Sequence, residues 1–117
     1  MIAMAAVLAT LEAIEEDDML AKARKFEMHL RDSLSGVDAI SAVRGKGCLI
    51  GIQFTDSCAP VHAQLLENKI ITGTSSDPKV LRLLPPLNVS NEEADILIEQ
   101  LVNRSLSMDT ARQTNQA

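Results

Sequence analysis

The sequence predicts an α+β fold: a small antiparallel sheet of about four strands with helices packed on one face, preceded by a long N-terminal helical segment. Three observations lead there. Ile40 to Phe54 reads as two β-prone runs joined at Gly45-Lys46-Gly47, a glycine-rich loop of hairpin length. Lys79 to Leu84 is a short apolar run stopped by Pro85-Pro86, which has no amide hydrogens to continue a sheet. Helical patterns precede, separate and follow these runs, in the order helix, helix, strand, strand, helix, strand, strand, helix.

Met1 to Glu16 is rich in Ala, Met, Leu and Ile, good helix formers, but its apolar residues run almost all the way round. Such a helix wants cover on every side. The acidic cluster Glu15 to Asp18 marks a break, after which a second helix from about Asp18 to Leu34 carries Leu20, Ala23, Leu30 and Leu34 near one face. Met19, Phe26 and Met28 widen that face, and Ser35-Gly36 stops the helix.

In the hairpin, Cys48, Ile50, Ile52 and Phe54 alternate with Leu49, Gly51 and Gln53, which predicts one buried face. Gly51 in mid-strand predicts a close approach to the backbone. Thr55-Asp56-Ser57 is a loop with capping chemistry, and Pro60 suits the first turn of a short helix over roughly Ala59 to Glu67. Asn68 is a candidate left-handed stop, after which Lys69 to Thr74 returns to a strand pattern. Ser90-Asn91-Glu92-Glu93 forms a capping box opening a last helix, with Ala94, Leu97, Ile98, Leu101 and Val102 on one stripe to about Leu106. From Ser107 the tail is polar, without periodicity, and is expected to add little to a core.

With 117 residues there is room for one domain with a real core. Hydrophobic residues make up 46% of the chain but aromatics only 2%, which argues against stacking platforms for single-stranded nucleic acid. A net charge of −5 argues against binding a phosphate backbone. Cys48 and Cys58 lack CxxC spacing, so reduced, packed thiols are expected rather than zinc or a redox pair. The early apolar run is broken by Glu12 and then by Glu15-Glu16-Asp17-Asp18, too soon to span a bilayer, and no signal-peptide pattern precedes it. A cytoplasmic protein is expected.

Among candidate site residues Arg82 comes first. On a strand it shares a side with Val80 and Leu84, so its guanidinium is expected among apolar neighbours, fixed at its root and suited to a carboxylate. The strand alone favours instead an edge-strand arginine whose stem packs while its head reaches water. Arg44, beside the glycines, reads as a turn or interface residue. His29 and His62 lack metal-spaced partners and read as exposed or packed. Glu15 to Asp18 reads as a solvated cap, and Met1, Met4, Met19 and Met28 as core or contact surface.

Val80-Leu81-Arg82-Leu83-Leu84-Pro85-Pro86-Leu87 followed by the Ser-Asn-Glu-Glu helix start resembles the end of the class III pyridoxal-phosphate aminotransferases, the acetylornithine and ornithine aminotransferase group. Val43-Arg44-Gly45-Lys46-Gly47 leading into Cys48-Leu49-Ile50-Gly51-Ile52 is a second matching block. The resemblance runs from about Ala3 to about Leu106. It implies a C-terminal small domain over 1–106, with 1–16 as the helix leaving a large cofactor domain and 107–117 as a polar tail.

It further implies that Arg82 is the clamp for a substrate carboxylate. The family carries pyridoxal phosphate in its large domain at a dimer interface. It moves an amino group from N-acetylornithine or a similar ω-amine onto 2-oxoglutarate. None of Lys22, Lys25, Lys46, Lys69 and Lys79 sits in a motif resembling the family's cofactor lysine, so no cofactor site and no catalytic residue are expected in this chain. Three readings follow: a detached aminotransferase domain inactive alone, a stand-alone carboxylate-binding module, or an interaction subunit completing an aminotransferase in trans. At ~25 cal/mol per Å² of apolar surface, the uncovered N-terminal helix predicts self-association, as a dimer or larger. The other expected partner is an aminotransferase large domain, with no nucleic acid and no membrane.

Overall fold

The computed structural model describes residues 1–115, with side chains described as far as Arg104. Its elements are α1 (Ile2–Glu16), α2 (Met19–Leu34), β1 (Ile40–Lys46), β2 (Leu49–Phe54), α3 (Ala59–Glu67), β3 (Gly73–Thr74), β4 (Val80–Leu83) and α4 (Asn91–Asn115). The acidic cluster separates α1 from α2 as expected. The Asp17 amide donates to the Ala13 carbonyl at 3.0 Å, and Asp18 then turns the chain in the left-handed region at φ 50°. Aspartate is one of the few side chains that visit that region readily.

All strand pairs are antiparallel, in the order β1-β2-β4-β3. On β2 and β4, Ile50, Ile52, Phe54, Leu81 and Leu83 face inward and are buried. Against them pack Ala23, Phe26, Leu30 and Leu34 of α2, Val61 and Leu65 of α3, and Ala94, Leu97 and Leu101 of α4. The sheet therefore has one covered face and one open face. The capping box forms as the sequence implies: the Glu93 amide donates to Ser90 Oγ at 3.1 Å, and the Ser90 amide to Glu93 Oε2 at 3.0 Å.

Several local expectations are corrected. β1 pairs with β2 through Gly45 and Lys46, so the hairpin turn is Gly47-Cys48, with Gly47 at φ 56°. Strand pairing survives there because Gly45 adopts φ 110°, open only to a residue without Cβ. The left-handed residue after α3 is Lys69, at φ 64°, not Asn68. The strand expected over Lys69 to Thr74 shrinks to Gly73–Thr74, because the Lys69 and Ile70 amides are spent closing the end of α3, on the Leu66 and Leu65 carbonyls at 3.0 and 2.8 Å. On α2, Leu20 and Met28 point to solvent, and the buried stripe instead includes Glu27.

The last helix does not stop near Leu106 but runs to Asn115, since Ser107 to Gln113 contains neither glycine nor proline to break it. Gln116 and Ala117 lie outside the described residues. The expectation that this stretch adds little to a core falls on side chains beyond those described. No residue of α1 is buried, and Met1, Ile2, Met4, Val7, Leu8 and Leu11 are all exposed.

Candidate functional site

β4 is an inner strand, flanked by β2 on one side and β3 on the other. Register places Arg82 opposite Gly51 on β2 and opposite Gly73 on β3. Directly paired residues share a face, so the arginine stands on the open face between two positions without side chains. Its apolar setting is thinner than the sequence suggests: Val80 is half-buried and Leu84 exposed.

A Cβ on Gly73 would meet Arg82 Cβ at 3.5 Å and Nε at 3.6 Å, so the stem of the arginine lies across the Gly73 backbone. A Cβ on Gly51 would meet Val80 Cγ1 at 3.3 Å, the close approach that a mid-strand glycine predicts. Among the described residues no hydrogen bond or ion pair engages the Arg82 guanidinium.

Arg44 belongs to β1 rather than to the turn, paired with Gly51 from the other side, and it too is exposed. The hairpin that carries it is fastened to α2 by a cluster absent from the sequence reading. Glu27 Oε2 accepts the Gly47 amide at 2.7 Å, and Oε1 accepts Arg31 Nε at 3.2 Å with Lys46 Nζ at 3.8 Å. Arg31 in turn donates to the Val43 carbonyl and, at 2.8 Å, to the Gly45 carbonyl. The Gly47 amide, helped by the Arg31 hydrogen bond and by the Lys46 and Arg31 charges, holds the Glu27 carboxyl below its ordinary value against desolvation. The available signal was the Glu27–Arg31 spacing, one helical turn apart and upstream of a glycine-rich hairpin.

The remaining candidates take structural places. His29 Nε2 lies 2.6 Å from Asp95 Oδ1, tying α2 to α4, and His62 Nδ1 lies 2.9 Å from Thr72 Oγ1. Among the described residues no His, Cys, Asp and Glu group could hold a metal ion. Glu15, Glu16, Asp17 and Asp18 are exposed. Of the methionines placed at contacts, Met19 is half-buried and Met1, Met4 and Met28 exposed. Cys48 and Cys58 are buried free thiols, and burial pushes both up from the ordinary thiol range. Lys22, Lys25, Lys46, Lys69 and Lys79 are all exposed.

A cleft of ≈ 750 Å³ lies elsewhere, between Phe26, Ile70, Leu83, Pro85, Val89 and Leu97. It does not include Arg82, which stands on the exposed surface.

Comparison with known proteins gives consistent results. The family model described as aminotransferase class-III matches residues 1–104. Acetylornithine aminotransferase 1 of Bordetella bronchiseptica is 37% identical over 105 residues, covering 86% of this chain and 26% of that protein. Among solved structures, the ornithine delta-aminotransferase of Plasmodium falciparum superposes with a TM-score of 0.68 at 28% identity, covering 86% of this chain and 28% of that one. A phospholyase from Arthrobacter in complex with phosphoethanolamine superposes with a TM-score of 0.76 at 26% identity, covering 86% and 27%. The chain thus spans about a quarter of the length of the relatives it matches.

Proposed function

This chain belongs to the class III aminotransferases, and from that premise we propose that it forms the carboxylate-gripping C-terminal domain of an acetylornithine-type enzyme, with Arg82 as the clamp. The observation that carries the proposal is the placement of Arg82: an unpaired guanidinium on an open sheet face, rooted in an inner strand between two glycines. A planar fork of donors offers a carboxylate two parallel hydrogen bonds and orients it as well as attracting it. The proposed domain spans 1–106, with 1–16 as the helix leading from a large domain.

The pyridoxal phosphate of the family does not fit the lysines described. A Schiff-base lysine needs desolvation or a neighbouring cation to free its amine at neutral pH. Each lysine here is exposed, and Lys46, 94% exposed, faces the Glu27 carboxylate instead. The proposed division of labour gives this chain the substrate's acid group and assigns amine chemistry to residues outside it, so the chain is inactive alone. Its substrates on this reading are N-acetylornithine or a similar ω-amine and 2-oxoglutarate.

The exposed apolar surface of α1 favours a second element of the proposal, an assembly either with another copy or with an aminotransferase large domain. Among the described residues no helix is long and apolar enough to cross a membrane. Two buried, unpaired cysteines suit a reducing compartment, and we place the protein in the cytoplasm.

Co-expression with an acetylornithine aminotransferase large domain lacking its own C-terminal region tests the reading. The expected result is co-purification with restored cofactor absorbance and turnover, the turnover being lost on Arg82→Ala while assembly remains. Failure to co-purify overturns completion in trans. Turnover indifferent to Arg82→Ala overturns the assignment of the clamp.

A further inference from the structure

We infer that α1 pairs with α1 of a second copy of this chain, antiparallel about a two-fold axis at the level of Ala9. The inference rests on α1 being an assembly surface; it names the partner and fixes the register. Met4, Val7, Leu11 and Ile14 recur at spacings of three, four and three residues, the repeat of a coiled-coil seam. Met4, Val7 and Leu11 are exposed and Ile14 half-buried, and no residue of the helix reaches the core. The far side of the helix is mostly alanine, Ala5, Ala6, Ala9 and Ala13, which loses little by staying in water. One seam therefore covers most of what α1 needs to hide.

Direction follows from charge. The ionic side chains of α1 are Glu12, Glu15 and Glu16, all toward its C-terminal end. That end is the negative pole of the helix, and no basic residue in the last turn offsets it. The other end has the opposite deficit: Met1 makes no side-chain cap bond, no acid stands in the first turn, and the amides of Ile2, Ala3 and Met4 have no intrahelical acceptor. Among the described residues none of the three glutamates forms an ion pair. A parallel partner would stack two acidic ends together, Asp17 and Asp18 included. An antiparallel partner corrects both ends, because each set of glutamates meets the bare first turn of the other copy.

The seam then sets the register. Met4 faces Ile14 of the partner subunit, and Val7 faces Leu11 of the partner subunit. Leu8 flanks the seam against its own symmetry mate, and Glu15 lies beside the partner subunit's Met1, where the free amides begin. The helix has 15 residues and is about 22 Å long, so an axis through its middle puts the roots of the two sheet domains at opposite ends of the pair. Each copy offers the same face, and the contact closes at two copies.

Analytical ultracentrifugation of the 117-residue chain tests the pairing. The parent is expected to be a dimer in the micromolar range. Glu15→Lys puts a cation at the favourable pole of its own helix and at the unfavourable pole of the partner's, so it should weaken the dimer about tenfold without lowering helix content. Glu99→Lys, at an exposed acid on α4, should change it by less than about twofold. Under mild oxidation, mixed Met4→Cys and Ile14→Cys chains should form a covalent pair. Either variant alone should not, since its two cysteines would stand ~15 Å apart along the axis. The parent, whose Cys48 and Cys58 are buried, is the blank.

If Glu15→Lys dimerises as tightly as the parent, or either cysteine variant links to itself, the antiparallel register is overturned while α1 remains an association surface. A monomeric parent overturns the pairing itself. The assignment of Arg82, read by turnover and ligand binding, is untouched by either result.

Discussion

Replacing Gly45 by alanine should damage the fold far more than the same change at Gly36, although both glycines adopt a positive φ. At Gly36, φ is 84° and an added Cβ meets nothing within 4 Å, so the cost is conformational alone, about 1 kcal/mol. At Gly45, φ is 110° and the added Cβ would sit 1.9 Å from the Leu49 carbonyl oxygen and 3.1 Å from Ile50 Cα. Those are backbone atoms of the facing strand, which cannot rotate aside.

Relief requires the hairpin to open, which loosens the Gly45–Ile50 pairing and draws the Gly45 carbonyl off Arg31. Conformational strain of ~1–2 kcal/mol plus one or two lost hydrogen bonds of ~1 kcal/mol each gives about 3 kcal/mol. For a domain of this size that lowers Tm by roughly 9–15 °C, against roughly 3–5 °C for Gly36→Ala. Thermal melts followed by far-UV circular dichroism compare the two. A Gly45→Ala variant melting no lower than Gly36→Ala would refute the crowding argument.

Three further outcomes follow. Glu27→Gln should be less stable than the parent at neutral pH. Because folding lowers the Glu27 pKa from its ordinary 4.5, its contribution is fully present above that value and disappears as pH falls through the folded pKa; urea melts of both proteins should therefore converge in acid, and a constant gap would count against the latch. Cys48 and Cys58, buried and with thiols pushed up, should resist a thiol reagent at neutral pH until the chain is unfolded, whereas fast labelling of the native protein would contradict their packing. Sedimentation should show a dimer or larger at micromolar concentration, shifted toward monomer by Leu8→Glu with Leu11→Glu; a monodisperse parent monomer would remove α1 as an association surface.

What the sequence could show divides along local and non-local lines. The capping box at Ser90 and Glu93, the break at Asp17-Asp18 and the proline at the start of α3 are written in neighbouring residues, and each appears where it was read. Alternation on Ile50, Ile52 and Phe54 likewise identified the buried face. Errors came where a distant partner decides. Glu27 is buried on α2 because the Gly47 amide, 20 residues on, donates a hydrogen bond to its carboxylate, and nothing local announces that. The hairpin glycines looked like loop, yet Gly45 is a paired strand residue because the facing Leu49 carbonyl leaves no room for a side chain. Arg82 could be singled out on its strand, but its row with Gly51 and Arg44 depends on strand register, which alternation does not set.

The central claim, that Arg82 grips a substrate's acid group, is met most directly by titrating 2-oxoglutarate into the chain and into its Arg82→Ala variant. Saturable binding to the parent at millimolar concentration, lost in the variant with its circular dichroism unchanged, is the predicted result. Equal binding by both proteins, or none by the parent, would contradict it.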